Sequence, residues 1–239
     1  MKKKILVVAL VVCLMAMSIA SATMAYFTDT DQVNNVFTTG KVDIQLTQAM
    51  VQVEAANAAG TENIVKVQPE TRQTFTELKY SDIRTLYPGQ TVACDPRIEN
   101  VGSETAYVAA KITISGMGTL ITANGDSVKA FLANGQLNTT GNWVAYEAKA
   151  NGDVVVYVIV ARSLVKYAGD ADATDYNAVL FDTVKIPATW GNTEMTECAD
   201  LNITVEAYAT QQVGFADAKT AIQTAFATEF GSITFTANP

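Results

Sequence analysis

The sequence contains no histidine. This absence excludes the Ser-His-Asp and Cys-His nucleophile systems, the HExxH zinc site and acid–base catalysis by an imidazole. Cysteine is scarce, with three residues in a chain of 239, and beyond Lys2–Lys4 no cluster of basic side chains occurs. The sequence therefore lacks the usual signatures of a hydrolase and of a nucleic-acid-binding protein.

The longest apolar run lies at the N-terminus and has the pattern of a secretory signal. Lys2–Lys4 precede the apolar segment Ile5–Ile19, and small residues follow it. This run is shorter than the roughly 20 residues that a membrane-spanning helix needs, which favours a cleaved signal over an uncut anchor. Residues 1–25 are therefore predicted to be a signal peptide, with cleavage after Ala22 or after Ala25.

Removal of residues 1–25 leaves 13 basic and 24 acidic side chains, a net charge of −11. Such a charge favours solubility and repels nucleic acid and anionic membranes. Cys13 is lost with the leader, whereas Cys94 and Cys198 remain. An exported compartment permits a disulfide between these two residues, and two buried thiols are the alternative. The residue pattern does not decide between them.

The rest of the chain has the pattern of short strands. Apolar and polar side chains alternate along residues 41–47, and successive side chains of residues 106–115 fall on two opposite faces. Both patterns are typical of strands that are half-buried. Residues 154–160 are apolar on both faces, which predicts a central strand. The stretch from Val92 to Asn100 is interpreted as one strand. Further strands are predicted at residues 64–67, 71–80, 179–186 and 201–210.

Turn signals separate these strands. Pro88-Gly89 predicts a turn, because proline presets φ and glycine is free to take a positive φ. Asn151-Gly152 predicts a hairpin with a type I′ turn. Residues 215–230 show helical spacing of apolar side chains, with Gly231 as the C-terminal cap, and this helix is expected to pack on the strands. About eight or nine short strands with little helix predict one all-β sandwich domain over residues 26–239.

Few residues suggest a site. Asp170, Asp172 and Asp175 resemble a calcium loop loosely, but the glycine and glutamate that an EF-hand needs are missing, so a solvated acidic loop is predicted. Trp143 and Trp190 are interpreted either as a sugar-binding platform or, more commonly for this residue type, as core residues. No catalytic residue, cofactor or metal ligand is predicted.

Three stretches follow a family pattern. In AYFTDTDQVNNVFTTGKVDIQL the matching residues are Ala25, Phe27, Phe37, Gly40, Val42, Asp43 and Ile44. In LYPGQTVACDPRIENVGSETAYV they are Pro88, Gly89, Asn100, Gly102 and Ser103. The third stretch, ITVEAYATQQVGF, is a closing strand that leads into the last helix. Together these stretches resemble the TasA/camelysin group of exported bacterial proteins.

The resemblance implies a jelly-roll-like antiparallel β-sandwich and assembly into extracellular fibres of a biofilm matrix. It also implies processing by a signal peptidase of the SipW type, with cleavage after Ala25 that leaves Tyr26 first, and an accessory matrix protein as a further partner. Some members carry a metallo-endopeptidase label. Because the chain has no histidine for the usual zinc site, we predict that it is not an enzyme.

The N-terminal stretch suggests how a fibre would form. A strand at a free N-terminus leaves backbone groups that either its own fold or a second copy must pair. Donation of residues 26–40 to the next copy would give a head-to-tail homopolymer. The predicted apolar anchors are Tyr26, Phe27, Val33, Val36 and Phe37. The alternatives are a monomeric secreted or cell-surface binding module and, ranked last, a metal-dependent hydrolase that uses carboxylates alone.

Overall fold

The structure of the protein is a computed structural model. It describes residues 41–49, 87–116, 120–168, 174–198 and 201–239, together with the backbone of three short strands between residues 51 and 74. All of these residues belong to one compact unit that begins at residue 40. The predicted signal peptide and the predicted donor segment, residues 26–40, lie outside the described residues.

The described chain consists mainly of β-strands. In chain order they are β1 (Ile44–Ala49), β2 (Val51–Val53), β3 (Ile64–Lys66), β4 (Arg72–Thr74), β5 (Thr91–Ala93), β6 (Arg97–Asn100), β7 (Ala106–Ser115), β8 (Leu132–Ala133), β9 (Trp143–Ala148), β10 (Val154–Ile159), β11 (Asn177–Val179), β12 (Thr183–Lys185), β13 (Asn202–Gln211) and β14 (Thr236–Ala237). The helices are α1 (Gly125–Phe131), α2 (Asn192–Glu197), α3 (Ala218–Ala225) and α4 (Ala227–Phe230), with a 3-10 turn at Gly135–Asn138. The predicted all-β class is confirmed. No helix in these ranges has the length and hydropathy needed to cross a bilayer.

The strands form three sheets. Sheet 1 has the order β11-β6-β1-β4, sheet 2 the order β13-β7-β10-β9-β14, and sheet 3 the order β2-β3-β5-β12-β8. Neighbouring strands are antiparallel, except that β3 and β5 are parallel where Ile64 meets Val92. Sheet 2 contains the longest strands, β7 and β13, which pair over ten residues.

Successive side chains of β7 point to opposite faces of sheet 2, and each face contributes to a separate core. The even-numbered residues of β7, such as Val108 and Ile112, are fully buried in a main core that also contains Leu46 of sheet 1 and Val92 of sheet 3. Sheet 2 therefore packs against residues of both other sheets, which is a sandwich arrangement. The jelly-roll connectivity that the family resemblance implies stays a prediction.

The opposite face of sheet 2 carries a second core, which the C-terminal helices cover. Phe230 is fully buried there, and its ring meets those of Tyr157 and Tyr208 edge to face, with centroids 5.7 and 4.9 Å apart. The predicted packing of the helix on the sandwich is confirmed. The helix is broken at Phe226, where φ is −122°, so the predicted single helix is two short ones.

The central hairpin has the predicted strands and a different turn. All six residues of β10 are buried, and β10 lies between β7 and β9 in the middle of sheet 2. Gly152 has φ +87°, but Asn151 does not have a positive φ. The N–H of Gly152 bonds Lys149 O at 3.0 Å, so the loop is a β-turn followed by a left-handed glycine. The prediction of a type I′ turn is wrong.

Two predicted single strands are each divided between sheets. Residues 91–100 form β5 in sheet 3 and β6 in sheet 1, and the chain changes sheet at Cys94–Pro96, where proline has no N–H to donate. Residues 179–186 likewise contribute to β11 in sheet 1 and β12 in sheet 3. Helices α1 and α2 were not predicted. Both are shorter than two turns, which is too short for a clear apolar period.

Candidate functional site

The first described residues are bonded to the turn that follows β6. The N–H of Lys41 donates to Ser103 Oγ at 2.9 Å, and the N–H of Ser103 donates to Lys41 O at 2.9 Å. The N–H groups of Val101 and Gly102 both donate to Asp43 O at 3.0 Å. The chain is therefore fixed at the point where it enters the domain from residues 26–40.

The close approach of Lys41 and Asp43 determines the identity of Gly102 in the turn, and side-chain hydrogen bonds determine that of Asn100, the last residue of β6. A Cβ on Gly102 would lie 2.4 Å from Lys41 O and 2.6 Å from Asp43 N, so only glycine fits. Asn100 is fully buried, and its side-chain amide donates to Glu104 O at 2.8 Å and to Leu164 O at 2.9 Å. The structure thus brings together two stretches that carry the family resemblance, around Asp43 and around Gly102.

The other part of the second stretch lies elsewhere and has a structural role. Gly89 has φ +79°, and the N–H of Gln90 bonds Tyr87 O at 3.1 Å, which confirms the predicted Pro-Gly turn. The N–H of Gly89 donates to Ile186 O at 3.0 Å. This turn joins the chain to the segment after β12 and takes no part in the entry site.

Strand β13 lies at the edge of sheet 2. It pairs with β7 without interruption from Asn202 to Gln211, and no other strand in the described part of the chain pairs with its outer side. The pairing continues beyond the strand, since the N–H of Gln212 donates to Thr105 O at 3.1 Å. The sheet therefore ends in a ten-residue edge, far longer than the opposite edge strand β14.

The direction of the backbone groups along this edge follows from the ladder. In an antiparallel pair, residues that bond the partner alternate with residues whose N–H and C=O point away. Gln212 bonds Thr105. The residues whose backbone N–H and C=O groups point away from β7 are therefore Ile203, Val205, Ala207, Ala209 and Gln211. The side chains of Ala207 and Ala209 face the main core and are only partly buried. These small side chains leave room for larger ones on an added strand.

A charged network crosses the outer face of sheet 2. Lys111 Nζ donates to Glu206 Oε1 at 2.7 Å, and the Tyr208 hydroxyl donates to Glu206 Oε2 at 2.9 Å. Burial acts to raise the pKa of Glu206, but the bonds from Lys111 and Tyr208 outweigh it and lower that pKa. Burial, and then the nearby carboxylate of Glu206, raise the pKa of Tyr208. The network joins β13 to β7, where Glu206 lies opposite Lys111.

Several predicted site residues lie outside the described residues. These are the cleavage pair Ala25 and Tyr26 and the donor anchors Phe27, Val33, Val36 and Phe37. Asp170 and Asp172 of the acidic loop also lie outside. Asp175 is described, and its carbonyl and that of Thr174 accept bonds from the Arg162 guanidinium. A cation at these carbonyls would therefore meet a positive charge.

Cys94 and Cys198 are both buried, and the structure holds them as thiols with no disulfide between them. Cys198 Sγ lies 3.5 Å from Met195 O, and burial raises the pKa of its thiol. Both thiols are therefore buried, unlike the exposed thiol of a reactive cysteine.

The two tryptophans do not form one platform. Trp143 packs at the second core, with Lys219 Nζ 4.3 Å from the centroid of its ring. Trp190 packs at the main core. Within the ranges described above, no group of three or more Cys, Asp or Glu side chains is placed to hold a metal ion.

Sequence reasoning found the strand that forms the long edge but not that it is an edge. Residues 201–210 were predicted as a strand, close to the observed β13, whereas its position at the end of a sheet depends on pairing with residues about a hundred positions away. Charge complementarity between residues 106–115 and 201–210 was the available signal, because Lys111 and Glu206 meet across these strands.

Comparison with known proteins gives one match. A family model described as camelysin metallo-endopeptidase matches residues 1–67. No curated protein and no solved structure matches the chain. The match includes the first stretch on which the resemblance was based, and residues 1–67 of this chain are therefore similar to that family.

Proposed function

We propose that this protein is an exported structural subunit that assembles into extracellular matrix fibres, with residues 26–40 of one copy completing a sheet of the next. The single observation that carries the proposal is the ten-residue edge of β13, whose outer side pairs with no strand among the described residues. We propose secretion after cleavage by a signal peptidase of the SipW type, with other copies of the chain as the main partner and an accessory matrix protein as a second one.

The proposed contact joins the donor to the outward backbone groups of β13. Addition of a strand to a sheet edge gives main-chain hydrogen bonds, each worth about 0.5–1.5 kcal/mol net. Burial of each large apolar anchor, such as Phe27 or Phe37, adds roughly 1.5–3 kcal/mol. The main-chain bonds and the anchors therefore make comparable contributions to the affinity, and the partly buried Ala207 and Ala209 of β13 offer the space that the anchors need.

The contact repeats along one direction. The donor segment and the acceptor edge are different surfaces of the same chain, so each copy can give one strand and receive one. Such a head-to-tail contact need not close into a ring and can continue as a filament. The long free edge of sheet 2 would then be covered in the polymer, which removes an aggregation hazard that folded proteins otherwise avoid.

The first test removes the donor. The chain beginning at Tyr26 is compared by negative-stain electron microscopy with a chain that lacks residues 26–37. We expect filaments from the first and none from the second. Undiminished filaments from the shortened chain would exclude strand donation. Light scattering that shows one monomeric species at every concentration of the intact chain would favour the binding-module alternative.

The second test blocks the acceptor edge. Ala209→Pro removes an N–H that points away from β7, so sheet 2 keeps its own bonds while the edge loses a donor. We expect a folded monomer that does not form filaments. Ala209→Ser is the matched control, since it keeps the N–H and adds only a small side chain. Filaments of normal length from Ala209→Pro would show that β13 is not the acceptor.

A further inference from the structure

Apolar side chains are exposed beside the entry site. Val101 is 46% exposed, Val165 is 38% exposed and Tyr167 is 39% exposed, which makes them three of the five large hydrophobic residues exposed in the described chain. The N–H of Tyr167 donates to Asn100 O at 3.2 Å, which places Tyr167 next to Val101. We call Val101, Val165 and Tyr167 the exit patch.

The exit patch adjoins the residues that lead to the donor segment. The N–H of Val101 bonds Asp43 O at 3.0 Å, and two residues further along the chain Ser103 holds Lys41. The Tyr167 ring is fixed from behind, because its centroid lies 4.7 Å from that of Tyr176, which is buried. The patch is therefore a firm surface beside the entry point at Lys41.

The length of chain between donor and domain brings a neighbour to this surface. Only three residues separate Phe37, the last predicted anchor, from Lys41. Four extended residues span at most about 14 Å. A neighbouring copy whose sheet holds Phe37 of the donor must therefore lie within that distance of the donor's Lys41. It then lies against the end of the donor's domain that carries the exit patch.

We propose that the exit patch is a second contact between neighbouring subunits, packed against the copy that receives the donor segment. The inference rests on the proposed function and names the surface that accompanies the donated strand. Each subunit carries a net charge of −11 after loss of the leader, so neighbouring domains repel one another. An apolar contact beside a short linker offsets this repulsion and fixes the angle between successive domains.

The test places a carboxylate in the patch. Val101→Glu and Tyr167→Glu are made separately in the chain beginning at Tyr26, and the critical concentration for polymerisation is measured by light scattering. We expect a rise of about tenfold for each variant, with fewer and shorter filaments. Tyr87→Glu is the matched control, because Tyr87 is 40% exposed and lies in the Pro-Gly turn away from the entry site. We expect the control to polymerise nearly as the parent does.

The outcomes separate the two proposals. Urea unfolding of each variant below the critical concentration checks that the monomer is folded. If a glutamate variant does not fold, Val101→Ser or Tyr167→Ser takes its place. Filaments of the parent with an unchanged critical concentration in both patch variants would overturn the exit patch alone. No filaments from the parent would overturn the proposed function and the patch with it.

Discussion

At the scale of single residues, the entry site depends on a glycine. We predict that Gly102→Ala destabilises the domain by about 1–3 kcal/mol, because the added methyl group would meet Lys41 O and Asp43 N and would separate β1 from the turn. Urea unfolding measures the loss. Gly125→Ala is the control, since its Cβ would meet only the Tyr146 ring at 3.6 Å. Equal stability of both variants would contradict the prediction.

A second residue-scale prediction concerns pH. The pKa of Glu206 is lowered in the folded state, so its contribution to stability is present above its ordinary value of 4.5 and is lost as the pH falls through the lowered value. Because Glu206 is half-exposed, we expect Glu206→Gln to cost about 1 kcal/mol or less at neutral pH. The difference from the parent should disappear as the pH falls through the lowered pKa. A difference that grows toward low pH would show the opposite sign of linkage.

At the scale of elements, the helices α3 and α4 act as a cover for sheet 2. We predict that Phe230→Ala costs about 3–5 kcal/mol, because Phe230 is fully buried among aromatic rings and its removal leaves a cavity. Urea unfolding and near-UV circular dichroism measure the effect. Glu229→Ala, one residue earlier and exposed, should leave stability within about 0.5 kcal/mol of the parent. A loss below about 1 kcal/mol for Phe230→Ala would mean that the cover is not part of the cooperative fold.

Elements were predictable from sequence where local pattern and tertiary environment agree. Strands β7 and β10 lie in the middle of sheet 2, so the polarity of their side chains indicates directly how buried each face of the sheet is. The prediction failed where the chain changes sheet within an apolar run, as at Cys94–Pro96, because both parts of the run are buried and the pattern does not change. The turn after β9 was misassigned for a related reason: Asn-Gly fits several loop geometries, and the flanking register selects one.

The candidate site was predictable only in part. The importance of Gly102 and Asp43 came from the resemblance, whereas their contact joins residues that are about sixty positions apart and depends on the pairing of β1 with β6. The exit patch had no signal in the sequence. Val101 and Tyr167 are ordinary apolar residues until the fold places them on the surface side by side.

At the scale of the whole molecule, charge should control assembly. The chain beginning at Tyr26 carries a net charge of −11, and the electrostatic screening length shortens from about 30 Å at 0.01 M salt to about 8 Å at 0.15 M. We therefore predict that raising the salt concentration over this range lowers the critical concentration for polymerisation. Light scattering at both concentrations tests this. Slower assembly at the higher salt concentration would indicate that attraction between opposite charges drives the contact.

The family description raises the question of proteolysis. We predict that the purified chain has no EDTA-sensitive peptidase activity, because the sequence contains no histidine for the usual zinc site. A fluorescent casein substrate with and without EDTA provides the measurement, with thermolysin as the positive control. Cleavage that EDTA abolishes and zinc restores would assign the camelysin activity to this protein.

The bonds around Lys41 have a mechanical consequence. In a filament joined by donated strands, tension travels along each linker and enters the next domain where Lys41 and Asp43 bond the turn at Val101–Ser103. Four hydrogen bonds of 2.9–3.0 Å meet there, and β1 continues directly into the middle of sheet 1 between β6 and β4. The pull is thereby shared among inner strands instead of peeling away a loose margin, which suits a material that must resist stretching.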